Sequence, residues 1–343
     1  MKKLSLLLPV VTLLALGGCN RAPVVDHAEI DPSKSSFNVG ILQVGAFPAL
    51  ETARVAFESA LSSSPLVAGK TINFTRHDSN LDPATQAAQA KSLVASSDLL
   101  FGISTGSSAA LKNARDEAGK KQPLLFTAVT DPVSASLMTR LTGHDGSVTG
   151  TSDDNPVENQ IGLISRLFND MASVRLGILY TSSEINSEIQ ADRASDEAIR
   201  HGILQSNITI ATCTDDSDLQ QVATNLIANI DVLYIPTDNT IANYADIVKN
   251  CLTSSGVLCI TGERGILKDC GHITYSVDYS VLGAKAGEMA AEIISGTKKT
   301  ENIDCWKSVV ESEWEKIYSS SNIADAGVTI DLSEFPGFVD VNA

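Results

Sequence analysis

Short apolar runs alternate along the chain with amphipathic stretches of helical period. The run FNVGILQV at 37–44 predicts a strand, and the segment that begins at Pro48 predicts a helix. The apolar face of that helix consists of Leu50, Ala53, Phe57 and Leu61. Because most of the runs are continuously apolar, they indicate parallel strands that are covered on both faces. The pattern therefore predicts an α/β fold.

Strands and helices are predicted in alternation over two successive halves. The predicted strands lie at 37–44, 71–75, 98–103, 123–129 and 148–152, and then at 174–181, 207–214, 231–236, 256–261 and 272–277. Helices are predicted to start at Pro48, Pro83 and Pro156, and further ones lie at 218–229, at 239–253 and up to Gly296. NVGILQ at 38–43 and RLGILY at 175–180 open the two halves, so we predict two domains of one architecture with doubly wound parallel sheets.

The N-terminal segment carries the features of a bacterial lipoprotein signal. Two lysines precede an apolar run at 4–16 that is too short to span a bilayer in the mature protein. The run ends in Leu-Gly-Gly-Cys, which resembles a lipobox whose cysteine, Cys19, becomes the lipidated N-terminus. We predict a signal peptide at 1–18, a flexible tether at 19–36 and a lipid anchor outside the cytoplasm. An ordinary signal peptide is the alternative.

Composition narrows the possible partners. The chain has 343 residues, a formal net charge of −16 and no basic patch to neutralise phosphates, so nucleic acid is excluded as a partner. Five cysteines lie in the body, at Cys213, Cys251, Cys259, Cys270 and Cys305. The odd number leaves at least one thiol unpaired, and the middle three would allow one disulfide. Without a CxxC motif a zinc site is a poor alternative, and no cofactor is expected.

Polar side chains follow the predicted strands, at the edge where ligands bind in open parallel sheets. They are Gln43, Ser104, Thr105, Thr130 and Asp131 in the first half, and Asn186, Thr237, Asp238, Glu263 and Asp278 in the second. Neutral donors with a few carboxylates suit a zwitterion, whose carboxylate would bind hydroxyls and helix N-termini. Its ammonium group would bind an aspartate such as Asp238 or Asp278. The alternative is that each residue only caps a helix.

The stretch FGISTGSSAA at 101–110 has two interpretations. Gly102, Ser104 and Gly106 fit the G-x-S-x-G elbow, in which Ser104 would be the nucleophile of a hydrolase. A hydrolase also needs a histidine base, but none of the downstream histidines follows a predicted strand. The same glycines and hydroxyls fit a loop that holds an anionic group at a helix N-terminus. We favour this second interpretation and expect no catalysis.

Several segments resemble one family of transport proteins. They are VGILQ at 39–43, FPALE at 47–51, FTAVTDPVSASL at 126–137, GSVTGTSD at 146–153, LGILYTSSEINS at 176–187, VLYIPTDNTIA at 232–242 and NIADAGVTI at 322–330. In this order they are similar to the substrate-binding proteins of ABC transporters, in particular to tryptophan- and aromatic-amino-acid-binding lipoproteins with a type I periplasmic-binding-protein fold. Two positions depart from that family. Phe47 stands where histidine is frequent, and Ser-Thr-Gly at 104–106 replaces a loop of Thr-Pro type.

The resemblance implies two Rossmann-like lobes that are joined by a hinge with several chain crossings and that close on a ligand. The implied lobes comprise 37–153 with 279–304, and 154–278 with 305–343. The implied ligand residues are Gln43, Ser104 and Thr105 in the first lobe, Thr130 and Asp131 beside the hinge, and Asn186, Thr237, Asp238 and Asp278 in the second lobe.

The implied function is that of a lipid-anchored, extracytoplasmic solute-binding protein of an ABC importer, in the periplasm or at the cell surface. Its partners would be a small zwitterionic ligand such as an amino acid, aromatic ones included, a membrane permease, and the membrane itself through Cys19. The alternatives are a receptor lipoprotein of the same fold that senses its ligand, and a serine hydrolase that uses Ser104.

Overall fold

A computed structural model of the protein describes residues 28–143 and 146–343. The predicted signal peptide, Cys19 and the first part of the tether lie outside these residues. The strands are β1 (Ser36–Gln43), β2 (Thr71–Asp78), β3 (Leu99–Ile103), β4 (Leu124–Thr127), β5 (Val148–Ser152), β6 (Leu176–Thr181), β7 (Ile208–Cys213), β8 (Val232–Ile235), β9 (Leu258–Thr261), β10 (Ile273–Val277), β11 (Trp306–Lys307), β12 (Trp314–Tyr318) and β13 (Val339–Asp340). The α-helices are α1 (Pro48–Ser63), α2 (Pro83–Ser96), α3 (Thr105–Glu117), α4 (Val157–Leu167), α5 (Ile185–Arg200), α6 (Asp216–Ile227), α7 (Asn239–Asn243), α8 (Ala245–Leu252), α9 (Arg264–Asp269), α10 (Tyr279–Ser295) and α11 (Ser320–Ala326).

Two sheets hold these strands. The first sheet has the order β11-β5-β4-β3-β1-β2, and all of its neighbouring strands are parallel. The second has the order β13-β12-β10-β9-β8-β6-β7, in which β12 runs antiparallel to β10. Each sheet with its covering helices forms one Rossmann-like lobe, which confirms the predicted fold class. The antiparallel β12 is the departure from the predicted parallel sheets.

The chain crosses between the lobes after β5, after β10 and after β11. Helix α10 follows a strand of the second sheet but packs on α1 in the first lobe. Trp306–Lys307 pairs with Thr151–Ser152 of β5, so the first sheet continues past the implied crossing at 304–305. We call the region of these three crossings the hinge. The residue limits of the two lobes otherwise stay a prediction.

Helix α1 is held against α10 by a close approach of the two backbones. Its predicted apolar face, Leu50, Ala53, Phe57 and Leu61, is buried. A Cβ atom on Gly283 of α10 would overlap the carbonyl oxygen of Ala53, so a glycine is needed for the helices to pack this closely. This packing fixes the N-terminus of α1 at the edge of the cleft between the lobes.

The observed elements differ from the predicted ones mainly in the second half. The helix predicted at 239–253 is two helices, α7 and α8, because the backbone at Tyr244 leaves the helical conformation with φ −118° and ψ 29°. The short elements α9, β11, β12, α11 and β13 are not predicted at all. All five body cysteines carry free thiols. No helix in the described part of the chain is both long and apolar enough to cross a membrane.

Candidate functional site

The larger of two recesses between the lobes is an open groove. Its first-lobe wall is the segment at 80–86 with the start of α3, and its second-lobe wall consists of the segments that lead into α5, α6 and α7. The groove has a free volume of about 680 Å³. Small-molecule sites typically have volumes of roughly 300–1,000 Å³, so the groove can admit a ligand of that class.

The second recess is a narrow cavity on the other side of Asn239, a residue that lines both recesses. Its first-lobe wall is the start of α1, at 47–50, and its second-lobe wall is formed by α7 with the residues before it and by α9 with Glu263. Tyr279, at the hinge, completes the lining. The cavity has a free volume of about 20 Å³, which suffices for about one water molecule. The lobes must therefore move apart before a larger molecule can enter it.

Three second-lobe carboxylates line the narrow cavity. Asp238 is buried and accepts hydrogen bonds from the N–H and hydroxyl of Thr181, at 2.7 and 2.9 Å, and from the N–H of Ile241. Glu263 caps α9, and burial raises the pKa of its carboxyl to about 7. Asp269 is partly buried, and burial raises its pKa as well. No lysine or arginine of the described residues lines the cavity.

The N-terminus of α1 lies opposite these carboxylates. Phe47 occupies the N-cap position, and its side chain makes no capping hydrogen bond. The N–H groups of Ala49 and Leu50 have no partner within the helix, because the first turn of any α-helix lacks acceptors. They form the positive end of the helix dipole. The first lobe thus presents partial positive charge, and the second lobe negative charge, to one cavity.

A series of buried hydrogen bonds joins two residues of the cavity wall through the hinge. The Tyr279 hydroxyl donates to Asp153 Oδ2 at 2.8 Å, and Thr130 Oγ1 donates to Asp153 Oδ1 at 3.1 Å. Gln190 Nε2 donates to Thr130 Oγ1 at 3.2 Å, and Gln190 Oε1 accepts from the N–H and the hydroxyl of Thr237 at 3.3 and 3.2 Å. Burial raises the pKa of Asp153 to about 6. We call these five residues the hinge chain.

The turn at Ser104 satisfies its own hydroxyl groups. Ser104 is buried, has φ 93° and caps α3: its Oγ accepts from the N–H of Ser107 at 3.4 Å and donates to Ser107 Oγ at 3.3 Å. Ser108 donates to the carbonyl oxygen of Ser104 at 2.7 Å. The partner of the Ser104 hydroxyl is therefore another serine, as expected of a helix cap and not of an activated nucleophile. Thr105 and Gly106 face the groove.

The structure brings four of the nine predicted ligand residues to a recess. Thr105 and Asn186 line the groove, and Thr237 and Asp238 line the narrow cavity. The five that line neither recess are Gln43, Ser104, Thr130, Asp131 and Asp278. Asp131 and Asp278 cap the segments that follow them. Gln43 donates to Glu51 at 2.7 Å. A ligand role for these five residues stays a prediction.

Sequence reasoning missed Gln190 and Asp269. Gln190 lies within α5, on the buried stripe that consists of Asn186, Gln190, Ala194 and Ala198. A long polar residue at helical spacing between Asn186 and two buried alanines is the signal that could have found it. Asp269 ends α9, and this helix of six residues is too short to give a periodic pattern. Glu263, directly before α9, was found as a polar residue after a strand.

Comparison with known proteins identifies one family. The signature of the ABC transporter substrate binding proteins matches residues 38–330. A tyrosine-binding protein of Clostridioides difficile (strain R20291) is 33% identical over 300 residues, which cover 86% of this chain and 84% of the relative.

Two solved structures have the same fold over most of their length. An ABC domain from Streptococcus pneumoniae in complex with L-Trp has a TM-score of 0.76 at 26% identity, over 88% of this chain and 99% of that one. A substrate binding protein with adhesive properties from Clostridium difficile, in its ligand-free, open form, has a TM-score of 0.64 at 28% identity, over 89% and 99%.

Proposed function

The chain belongs to the family of ABC transporter substrate binding proteins, and from this premise we propose that it is a lipid-anchored, extracytoplasmic protein that binds an amino acid between its lobes for import. Membership implies the binding of a small molecule for an ABC transporter. The more specific proposal, that the ligand is an amino acid, rests on the arrangement of charged groups in the cleft. The carboxylates of the second lobe lie opposite the uncapped N-terminus of α1.

An aromatic amino acid is the ligand that these features support best. Its ammonium group would meet Glu263 and Asp269, and its carboxylate would meet the N-terminus of α1 or of α3. Phe47 and Tyr279 supply aromatic surface in the same wall. The C. difficile relative is a tyrosine-binding protein, and the S. pneumoniae structure contains L-Trp. The chain also superposes better on that ligand-bound structure than on the ligand-free, open one.

Direct ligand contacts are proposed for the predicted residues that line a recess, which are Thr105, Asn186, Thr237 and Asp238. The other five predicted residues would not contact the ligand but would fix the loops that carry the contact residues. Gln43, for example, donates to Glu51 in the first turn of α1. In this arrangement the lobes close by rotation at the hinge.

Isothermal titration calorimetry of the full mature chain tests the ligand class. We expect L-tyrosine or L-tryptophan to bind with one-to-one stoichiometry. The analogue 3-(4-hydroxyphenyl)propionate, which lacks the ammonium group, should bind at least about tenfold more weakly because the carboxylates lose a charged donor. Failure of all twenty amino acids to bind would remove the proposal.

The anchor and the importer role need separate measurements. Cys19→Ala should abolish palmitate labelling and move the protein from the membrane fraction to the soluble fraction. Uptake of the radiolabelled ligand should be lost in cells without the protein and restored by the wild type. Unchanged uptake together with an altered signalling response would instead support the receptor alternative.

A further inference from the structure

We propose that Gln190 is a latch between the lobes, in the sense that its amide stabilises the closed arrangement by holding Thr130 of the first lobe to Thr237 of the second. Gln190 is a positioning residue in this proposal and does not contact the ligand. The role of Gln190 in ligand binding rests on the proposed function. The contact between the lobes rests only on hydrogen bonds within the protein.

The two ends of the Gln190 amide reach different lobes. Gln190 is on α5 of the second lobe and is 0% exposed. Its Nε2 donates at 3.2 Å to Thr130 Oγ1, in the segment after β4 of the first lobe. Its Oε1 accepts twice from Thr237, which follows β8 in the second lobe. Separation of the lobes would break the bond to Thr130 and leave the bonds to Thr237 intact.

The partners of Gln190 connect it to the narrow cavity from both sides. Thr237 lines the cavity directly. Thr130 donates to Asp153, and Asp153 accepts from Tyr279, which also lines the cavity. A ligand that positions either wall residue therefore also positions a partner in the hinge chain. Binding and closure are therefore coupled, because the residues that line the cavity are also hydrogen-bonded members of the hinge chain.

Gln160 of α4 provides a matched control. It is also 0% exposed, and its Nε2 donates to the carbonyl oxygens of Gly262 and Tyr275 at 3.0 and 2.7 Å. Its Oε1 accepts from the Tyr234 hydroxyl at 2.7 Å. Every one of these partners belongs to the second lobe. Substitution of either glutamine by leucine removes the same chemistry, but only one substitution acts between the lobes.

The test compares Gln190→Leu and Gln160→Leu in the full chain. Dissociation of L-tyrosine is followed by stopped flow through Trp306 and Trp314, which flank the last crossing of the hinge. The radius of gyration of each protein without ligand is measured by small-angle X-ray scattering. We expect Gln190→Leu to weaken binding roughly 3- to 10-fold, mainly through faster dissociation, and to increase the radius of gyration. Gln160→Leu should change affinity by less than about twofold and leave the radius unchanged.

The proposal is wrong if the two variants behave alike in both measurements. If the wild type binds neither L-tyrosine nor L-tryptophan, the proposed ligand class fails, and the radius of gyration alone decides on the latch. If Gln190→Leu does not fold, the pair Thr130→Val and Thr130→Ser decides. The valine should increase the radius of gyration because it cannot accept from Gln190, and the serine should preserve the wild-type value.

Discussion

Gln160 and Gln190 are equally buried, lie on helices of the same lobe and form hydrogen bonds through both ends of their amides, yet they connect different parts of the protein. Gln160 ties α4 to strands of its own lobe. Gln190 ties the second lobe to the first. Burial and hydrogen bonding of a polar core residue do not by themselves show whether it serves folding or movement. This distinction follows from the lobe to which the hydrogen-bond partners of the residue belong.

A similar difference separates the carboxylates around the narrow cavity. Asp238 caps α7 and is surrounded by donors from Thr181 and Ile241, so its interactions stabilise the second lobe in any lobe position. Asp269 faces the same cavity, and none of the hydrogen bonds found in the described chain involves its side chain. Asp269 is the better candidate for a ligand's ammonium group, although Asp238 and Asp278 are the residues that sequence reasoning selects.

The largest expected effect is on the stability of the fold and concerns Gln160. Gln160→Leu leaves the buried Tyr234 hydroxyl without its acceptor and removes a donor from the carbonyl oxygens of Gly262 and Tyr275, so we expect it to lower the free energy of unfolding by about 3 kcal/mol. Gln190→Leu should cost only about 1–2 kcal/mol, because Thr130 keeps its bond to Asp153 and Thr237 is only partly buried, so that its donors can bond to water. Urea unfolding measures both. A greater loss for Gln190→Leu would contradict this order.

The hinge chain contains a carboxyl group, whereas the network of Gln160 does not, so the two should differ in pH dependence. The pKa of Asp153 is raised by burial from 3.8 to about 6 in the folded protein. Protonation therefore favours the folded state, and this contribution is lost as the pH rises through about 6.

The stability of the wild type relative to Asp153→Asn should thus fall by about 2–3 kcal/mol between pH 3.5 and pH 7, as measured by urea unfolding across that range. Gln160→Leu relative to the wild type serves as the control, and its difference should stay constant. A flat difference for Asp153→Asn would show that Asp153 titrates near its ordinary value in the folded protein.

The smallest effect is expected at the serine turn of the first lobe. Ser104→Ala removes the cap of α3 and should lower stability by about 1 kcal/mol, with affinity changed by less than about twofold. Thr105→Ala, one residue further on and facing the groove, is the matched variant for ligand contact and should weaken binding more. Calorimetry with L-tyrosine distinguishes them, and the reverse order would place the ligand against Ser104.

Periodic and continuous apolar patterns predict much of this fold. The predicted apolar stripe of α1 is buried, because a helix of 16 residues repeats its apolar positions often enough to be recognised. The short α9 has no such repetition, and the break at Tyr244 depends on packing between α7 and α8. Helix α9 forms part of the second-lobe wall of the narrow cavity, and Tyr244 lines the groove.

The candidate site is less predictable than the fold for a related reason. Residues at strand ends can be found from the sequence, and this finds Thr237 and Asp238. Whether the hydrogen-bonding groups of such a residue are already occupied depends on contacts between distant segments. Thr181 and Asp238, for example, are hydrogen-bonded but lie 57 positions apart in the sequence. Gln190 lies inside a helix, so the strand-end argument does not reach it.

A double-mutant cycle between Gln190 and Thr130 tests the central claim most directly. The dissociation constant of L-tyrosine is measured for the wild type, Gln190→Leu, Thr130→Val and the double variant. If the two side chains act through one hydrogen bond across the lobes, the double variant should be no weaker than the worse single variant. The coupling free energy should then be about 1 kcal/mol. Additive losses, with no coupling, would mean that Gln190 does not hold the lobes together through Thr130.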